Sequence, residues 1–228
     1  MALNFEILKT RALTALIFVI VMLTGLLWNS WSFLILFTII HFGAWSEYVK
    51  LLKKIDSKKY VLYCLTGLIY ITLPYLLLVD LRSGGNIFNG SFKFTQSGKL
   101  IPCTILISIW INDSSAYLVG SLIGKTHFSK ISPKKTLEGT IGGLLLCVLT
   151  IALLAYYTTM IVVKDAVVIA AICAILGTAG DLLESKLKRM ANVKDSGSFM
   201  PGHGGFLDRF DSFLIATPFV WLYLNLFV

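Results

Sequence analysis

Charged residues are scarce in this chain. They make up 14% of its 228 residues, against about 25% in an average soluble domain. Hydrophobic residues make up 57%, and the mean hydropathy is +0.81, which excludes an ordinary soluble domain. Several apolar segments approach the roughly 20 residues that cross a bilayer core as a helix. Since only helices and closed barrels satisfy their own backbone in lipid, the sequence predicts an all-α, polytopic transmembrane bundle.

Cysteine and the common catalytic motifs are also sparse. The four cysteines occur singly in apolar segments, without a CxxC pair, which argues against zinc and disulfide frameworks. No GxxxxGK[ST] string occurs, so there is no Walker A loop, and no Ser-His-Asp or Cys-His arrangement is suggested. The net charge of +8 comes from loops beside the membrane, where each Lys or Arg gains about 1 kcal/mol from anionic lipid. We therefore expect the bilayer, and no nucleic acid, as a partner.

The apolar segments predict about seven transmembrane helices. The first follows Lys9 and Arg11, as in a signal peptide, but no small-x-small cleavage site follows it, so we expect it to be retained. A cytoplasmic N-terminus leaves outside only four of the 20 basic residues (Arg82, Lys93, Lys99 and Lys164), as the positive-inside rule requires. The predicted segments are 12–28, 31–46, 60–79, 100–122, 139–163, 165–184 and 206–228.

The chain changes character near its middle. Residues 1–99 are predicted to be scaffold helices that end in an external loop, 82–99, rich in Gly, Ser and Asn. From Leu100 onward, polar residues interrupt the helices. We therefore expect residues 100–228 to form the catalytic region.

Asp113 lies midway along an otherwise apolar segment. An ionisable residue inside a membrane helix costs about 2.5–3.5 kcal/mol on insertion scales, so it usually faces a partner or a watery cavity. Asp113 shares a helix face with Ala116, Tyr117 and Gly120. This face is polar at one end and has small residues at the other. Two interpretations stay open: a pocket beside this face, or a protonated acid bonded to a neighbouring helix.

A second polar face ends the sixth segment, where Asp181, Glu184, Ser185 and Lys188 are spaced at i, i+3, i+4 and i+7. Two carboxylates and a hydroxyl could ligate a hard divalent cation through oxygen. The alternative is an internally neutralised end of an interfacial helix.

Two glycine-containing segments suit phosphate. SPKKTLEGTIGG (132–143) places two lysines and a threonine at the start of the fifth helix, where helix N–H groups favour anions. PGHGGFLDRFD (201–211) leads into the last helix through glycines that allow close backbone approach. Their simpler interpretations are a positive-inside anchor and an ordinary turn. Together with the acids, they indicate a metal-dependent enzyme that acts on a phosphorylated lipid and a soluble polyphosphate.

The segment Ser185–Asp211 resembles the signature of the phosphatidate cytidylyltransferases, the CDP-diacylglycerol synthases. That signature reads S-x-[apolar]-K-R-x4-K-D-x-G-x2-[apolar]-P-x-H-G-G-[apolar]-x-D-R-[apolar]-D, and Met200 stands where Leu, Ile or Phe is more usual. GDLLES (180–185), PKKTLEG (133–139) and the Asp113 helix extend the resemblance upstream. The residues in register are Ser185, Lys188, Arg189, Lys194, Asp195, Gly197, Pro201, His203, Gly204, Gly205, Asp208, Arg209 and Asp211.

The resemblance implies that CTP and phosphatidic acid give CDP-diacylglycerol and diphosphate. It implies Mg²⁺, with a second cation left open, held by Asp181 and Asp208. Asp113 and Asp211 would support them, and Lys188 would join these four as a catalytic group. Substrate contacts are implied for Lys134, Lys135, Thr136, Ser185, Arg189, Lys194, His203, Gly204, Gly205 and Arg209.

The resemblance also implies a bacterial inner membrane location with the active site at the cytoplasmic side, and a homodimer is usual in families of this kind. Two other functions stay open. A CTP-dependent polyprenol or lipid kinase would use the same phosphate-binding groups, and an ion-coupled transporter would use intramembrane acids.

Overall fold

The computed structural model describes residues 5–84, 97–129, 131–200 and 204–228, with the backbone alone for 5–11 and 97. Within these residues the chain forms eight α-helices and no β-strand, which confirms the predicted all-α fold. The helices are α1 (Phe5–Leu27), α2 (Ser30–Ile55), α3 (Tyr60–Gly67), α4 (Leu73–Ser83), α5 (Leu100–Ile123), α6 (Leu137–Thr158), α7 (Val163–Met190) and α8 (Leu207–Phe227).

The helices have the length and composition of membrane spans. Across the described ranges six are long and apolar enough to cross a bilayer, and α1 adds the shorter apolar stretch Ala12–Leu27. With α1 they correspond to the seven predicted segments, because α3 and α4 form one span, Tyr60–Ser83. The chain is an integral membrane protein, and the cytoplasmic placement of its N-terminus stays a prediction.

A π-turn, Leu68–Thr72, joins α3 to α4. Pro74 follows it and has no backbone N–H to donate to the carbonyl four residues earlier. A wider helical turn is a common adjustment at such a site, since it frees the backbone from the regular hydrogen-bond ladder.

The described residues fall into two compact units. Unit 1 contains those up to Thr72 and those in Leu187–Phe210, and unit 2 contains those in Leu73–Lys186 and Asp211–Val228. The predicted division of the chain at residue 99 into scaffold and catalytic parts stays a prediction.

In unit 1, hydrogen bonds connect α2 to the span that follows it. The indole N–H of Trp45 donates to Thr72 Oγ1 over 2.9 Å, and His41 Nε2 lies 3.1 Å from the same oxygen. The hydroxyls of Tyr48 and Thr66 are 2.7 Å apart. These contacts pack α2 against the span that follows it.

In unit 2, α5 and α6 pack closely through small residues. A Cβ on Gly139 would lie 2.7 Å from the Ala116 carbonyl oxygen and 2.9 Å from the Gly120 Cα, and a Cβ on Gly143 would lie 2.7 Å from the Ala116 Cβ. Small residues four apart let two helix backbones approach in this way. The crossing places the small end of the Asp113 face, at Ala116 and Gly120, beside the start of α6.

Candidate active site

A cavity of about 410 Å³ lies within unit 2, between α5, the start of α6 and α7. This is within the usual size range of small-molecule sites, about 300–1,000 Å³. Its lining combines two acids, two lysines and several hydroxyls with an apolar wall formed partly by Ala116 and Tyr117. The polar lining residues are Asn112, Asp113, Ser121, Ser132, Lys134, Lys135, Thr136, Thr140, Thr178 and Asp181.

The mouth of this cavity is shaped by the loop before α6. Thr136 caps the helix, since its hydroxyl accepts the Gly139 N–H over 3.2 Å. Glu138, in the first turn, turns back and accepts the N–H groups of Lys125 and Thr126, each at 3.1 Å. The loop is thereby tied at both ends, which presents its two lysines to the cavity.

Three carboxylates converge at the end of α7 and the start of α8. Asp181, Glu184 and Asp211 each offer an oxygen within 4.8 Å of the others. Glu184 is fully buried, and Asp211 is 7% exposed. Gly180 allows this approach, because a Cβ there would lie 3.0 Å from the Ser212 Cα. We call these three residues the acidic cluster.

The acidic cluster connects directly to the cavity through Asp181. The ammonium of Lys135 forms an ion pair with Asp181 Oδ2, and the Ser185 hydroxyl lies 3.5 Å from Oδ1. Asp113 is near enough to Asp211 to act on its charge. Asp113 and Asp181 line the same cavity as the two lysines of the loop, and the buried carboxylates of Glu184 and Asp211 need a compensating cation.

The donor set of the acidic cluster fits a hard divalent ion, which takes several oxygen ligands, often carboxylate. The convergence of three carboxylates, two of them on buried residues, gives this fit independently of any motif. The acidic cluster is therefore a candidate metal centre.

The signature segment of unit 1 forms a second charged group. Lys188 Nζ pairs with Asp208 Oδ1 over 2.6 Å, and both side chains are largely buried, at 13% and 7% exposure. Asp208 Oδ2 accepts the N–H groups of Ser196 and Gly205 at 2.9 and 2.7 Å. Asp208 thus fixes the loop that precedes α8.

A carboxylate from α2 also reaches this loop. Glu47 accepts the N–H of Phe206 on Oε1 and the N–H of Leu207 on Oε2, each at 2.9 Å. The backbone donors of Gly205, Phe206 and Leu207, at the start of α8, therefore bond to protein carboxylates.

Comparison with known proteins agrees with the signature. A model of the cytidylyltransferase family matches residues 87–227, which is more than half of the chain. The chain belongs to the cytidylyltransferase family. Similar relatives are phosphatidate cytidylyltransferases of Bacillus subtilis (strain 168), 37% identical over 70% of this chain, and of Staphylococcus saprophyticus, 35% identical over 68% of it. That of Staphylococcus aureus (strain COL) is 36% identical over 68%. The chain covers 56% of the length of each of these relatives.

In this cytidylyltransferase-family chain, unit 2 brings together many of the predicted site residues. The cavity gathers Asp113, Lys134, Lys135, Thr136 and Asp181. Asp181 also belongs to the acidic cluster with Asp211, and Ser185 lies beside it.

Unit 1 holds the other predicted residues of the family signature. Lys188 forms an ion pair with Asp208, and the N–H of Gly205 donates to the same carboxylate. Gly204 has a positive φ of 86°. His203 lies outside the described residues. Asp181 and Asp208 belong to different units, so their pairing as metal ligands stays a prediction. Three of the predicted substrate contacts in this unit have exposed side chains: Arg189, Lys194 and Arg209.

Sequence reasoning overlooked Glu47. The residue sits in the stretch AWSEYVK of a segment that was treated as scaffold. The signal that singled out Asp113, an acid within an apolar helix, applies to Glu47 as well. Its partners lie 149 to 160 residues further along the chain, so only the fold shows what it binds.

Proposed function

We propose that this chain is a phosphatidate cytidylyltransferase, which converts CTP and phosphatidic acid to CDP-diacylglycerol and diphosphate. The names of the relatives support this activity, and the carrying observation is the cavity of unit 2. There, phosphate-binding lysines border an acidic cluster within a membrane protein. A soluble polyphosphate and a membrane lipid are the reactants that such a site suits.

The loop before α6 would bind the CTP phosphates. Lys134 and Lys135 supply positive charge, and Thr136 supplies a hydroxyl at the helix start. Ion pairing with Asp181 holds Lys135 at the cavity wall before substrate arrives. Further contacts to CTP or the lipid headgroup are proposed for Ser185, Arg189, Lys194, His203, Gly204, Gly205 and Arg209.

The acidic cluster would hold Mg²⁺ through Asp181, Glu184 and Asp211, with Asp113 nearby. Asp208 remains a proposed ligand, and a second cation stays open. When bound, the ion supplies Lewis-acid stabilisation of the charge on the transferring phosphoryl group.

In the proposed reaction an oxygen of the lipid phosphate attacks the α-phosphorus of CTP. A new P–O bond forms to the lipid phosphate, and the bond from the α-phosphorus to the bridging α–β oxygen breaks. The diphosphate leaves with that electron pair. The attacking phosphate is already ionised near neutral pH. The main task of the site residues is therefore to orient the two substrates and neutralise the charge of their phosphates, and proton transfer matters less. We assign this role to Lys134, Lys135 and Lys188.

We also propose that the protein lies in a bacterial inner membrane with its N-terminus and active site on the cytoplasmic side. The distribution of basic residues supports this orientation. A homodimer remains part of the proposal by family resemblance alone.

Two labelled substrates test the reaction. The purified protein is incubated with phosphatidic acid, Mg²⁺ and CTP labelled at either the α- or the γ-phosphate. We expect label in the lipid product from α-labelled CTP only. Transfer of the γ label alone would show a lipid kinase instead.

A parallel reaction in detergent micelles separates catalysis from transport, since micelles have no sealed compartment. Turnover there supports the enzyme. Absence of any liponucleotide with folded protein, CTP, lipid and Mg²⁺ would contradict the proposal.

A further inference from the structure

We propose that Glu47 is a positioning residue for this reaction, although it lies on α2 and outside the family-matched residues 87–227. In this role it fixes the signature loop at its described residues, 196–200 and 204–207, from which Asp208 receives its backbone hydrogen bonds. The kinetic part of this inference rests on the proposed function, whereas the structural part does not.

Glu47 is 5% exposed and accepts from three donors of this loop. The Ser196 hydroxyl donates to Oε2 over 2.7 Å, Leu207 N–H donates to the same oxygen, and Phe206 N–H donates to Oε1. A deprotonated carboxylate is acceptor-only, so its two oxygens match three donors without conflict. Bonds to an ionised acceptor are shorter and stronger than neutral ones.

The loop has glycine where Glu47 comes closest. A Cβ on Gly197 or on Gly205 would collide with the Glu47 carboxylate. One turn before Glu47 on α2, a Cβ on Gly43 would lie 2.6 Å from Cε2 of the Phe206 ring. Two glycines of the signature and one of α2 thus leave the space that lets α2 and this loop pack closely.

Glu47 and Asp208 hold the same short loop through neighbouring groups. Ser196 Oγ lies 2.7 Å from Glu47 Oε2 and 2.9 Å from Asp208 Oδ2. The N–H of Gly205 donates to Asp208, and the next N–H, that of Phe206, donates to Glu47. A displacement of the loop from Glu47 therefore displaces the donors that orient Asp208, which is paired with Lys188.

Replacing the carboxylate with an amide distinguishes this role from simple space filling. Glu47→Gln keeps the shape of the side chain but places an NH₂ donor against one of the loop donors, because all three partners donate. The matched control is Asp165→Asn. Asp165 also accepts a hydrogen bond, from the Tyr223 hydroxyl at 2.7 Å, and lies outside the proposed site.

Hydrogen–deuterium exchange of the purified protein in detergent gives a readout that needs no activity. In Glu47→Gln we expect faster deuterium uptake in peptides that cover 196–208, with uptake in α5 and α6 unchanged. Asp165→Asn should leave the uptake of 196–208 at the wild-type rate. Wild-type uptake in Glu47→Gln would overturn the inference.

Steady-state kinetics per folded molecule then test the link to the reaction. We expect kcat of Glu47→Gln to fall about 10-fold or more, as for residues that orient catalytic groups, with KM for CTP unchanged. A merely structural role would reduce the folded fraction and leave kcat per folded molecule intact, which would overturn the proposal.

If Glu47→Gln does not fold, Ser196→Ala gives the second test. It removes the hydroxyl between Glu47 and Asp208. We expect faster exchange of the loop and a smaller loss of kcat, and no change in either would refute the positioning role. If the wild-type protein makes no liponucleotide, the proposed function is refuted. Hydrogen–deuterium exchange would still show whether Glu47 holds the loop.

Discussion

Asp181 is the residue through which the cavity and the acidic cluster meet. It lines the cavity, forms an ion pair with Lys135, and contributes an oxygen to the convergence with Glu184 and Asp211. Lys135 neutralises part of the charge of Asp181, which leaves the other acids of the cluster to attract a cation. The same carboxylate thus contacts Lys135, which is proposed to bind phosphate, and belongs to the candidate metal centre.

Asp181→Asn removes a charged ligand while retaining the size of the side chain. We expect liponucleotide formation to fall at least about 100-fold, beyond the roughly 10–100-fold that follows loss of a partner behind a metal ligand. The Mg²⁺ concentration for half-maximal rate of any residual activity should rise. Initial rates across a Mg²⁺ titration measure both effects.

The control for this variant is Lys50→Gln, which removes an exposed charge of α2 and should leave the rate and the Mg²⁺ dependence unchanged. An unaltered thermal melt of Asp181→Asn would show that it folds. Wild-type turnover in Asp181→Asn would remove this residue from the metal centre.

At the scale of the helices, glycines let neighbouring helices of the site pack closely, most clearly where α6 meets α5. A Cβ on Gly139 would meet backbone atoms of Ala116 and Gly120 as well as the Thr136 hydroxyl. Backbone cannot rotate aside as a side chain does, so an added methyl must separate the two helices. Because Asp113 lies on α5 and Thr136 caps α6, such a separation would widen the cavity between them.

Gly139→Ala and Gly143→Ala are therefore expected to destabilise the protein by about 1–3 kcal/mol each, the usual cost of overpacking. Thermal unfolding in detergent measures the loss, and KM for CTP should rise as the cavity widens. Gly177→Ala is the matched control, since its Cβ would lie 3.3 Å from the Ser212 Cβ and needs only a small shift. Equal melting temperatures for all three variants would contradict this account.

Hydropathy located the helices well but not their ends. The second segment was predicted as 31–46, yet α2 continues to Ile55, and the sixth was predicted as 165–184, yet α7 continues to Met190. In both cases the helix proceeds through charged residues, where hydropathy falls although helical hydrogen bonding does not. Conversely, the fifth segment was predicted to reach residue 163, and α6 stops at Thr158, because Thr159 adopts a left-handed φ of 55°.

In the candidate site, too, the sequence predicts neighbours on one helix but not contacts between distant segments. The spacing of Asp181 and Glu184 places both on one helix face, so their convergence was readable from the sequence. The position of Asp211 beside α7 depends on the packing at Gly180, and the hydrogen bonds donated to Glu47 depend on a contact across about two thirds of the chain. Such long-range partners leave no periodic signal.

At the scale of the whole molecule, the proposed substrates require a particular orientation in the membrane. CTP is soluble and cytoplasmic, so the loop before α6, with its lysines, must face the cytoplasm. With each span crossing once, the α2–α3 connection would face the cytoplasm too, and the α6–α7 connection would face outward. Ser57 and Met160 are exposed residues in these two connections.

Ser57→Cys and Met160→Cys, each made in a background without the four native cysteines, test this orientation as a matched pair. In right-side-out membrane vesicles, a membrane-impermeant thiol reagent should label Met160→Cys at once, because its thiol would face the outer solution. Ser57→Cys should react only after the vesicles are permeabilised, since the bilayer would separate it from the reagent. The reverse pattern would place the lysine loop outside the cell, away from CTP, and would refute the cytoplasmic active site. Labelling of both thiols before permeabilisation would instead contradict the number of crossings between them.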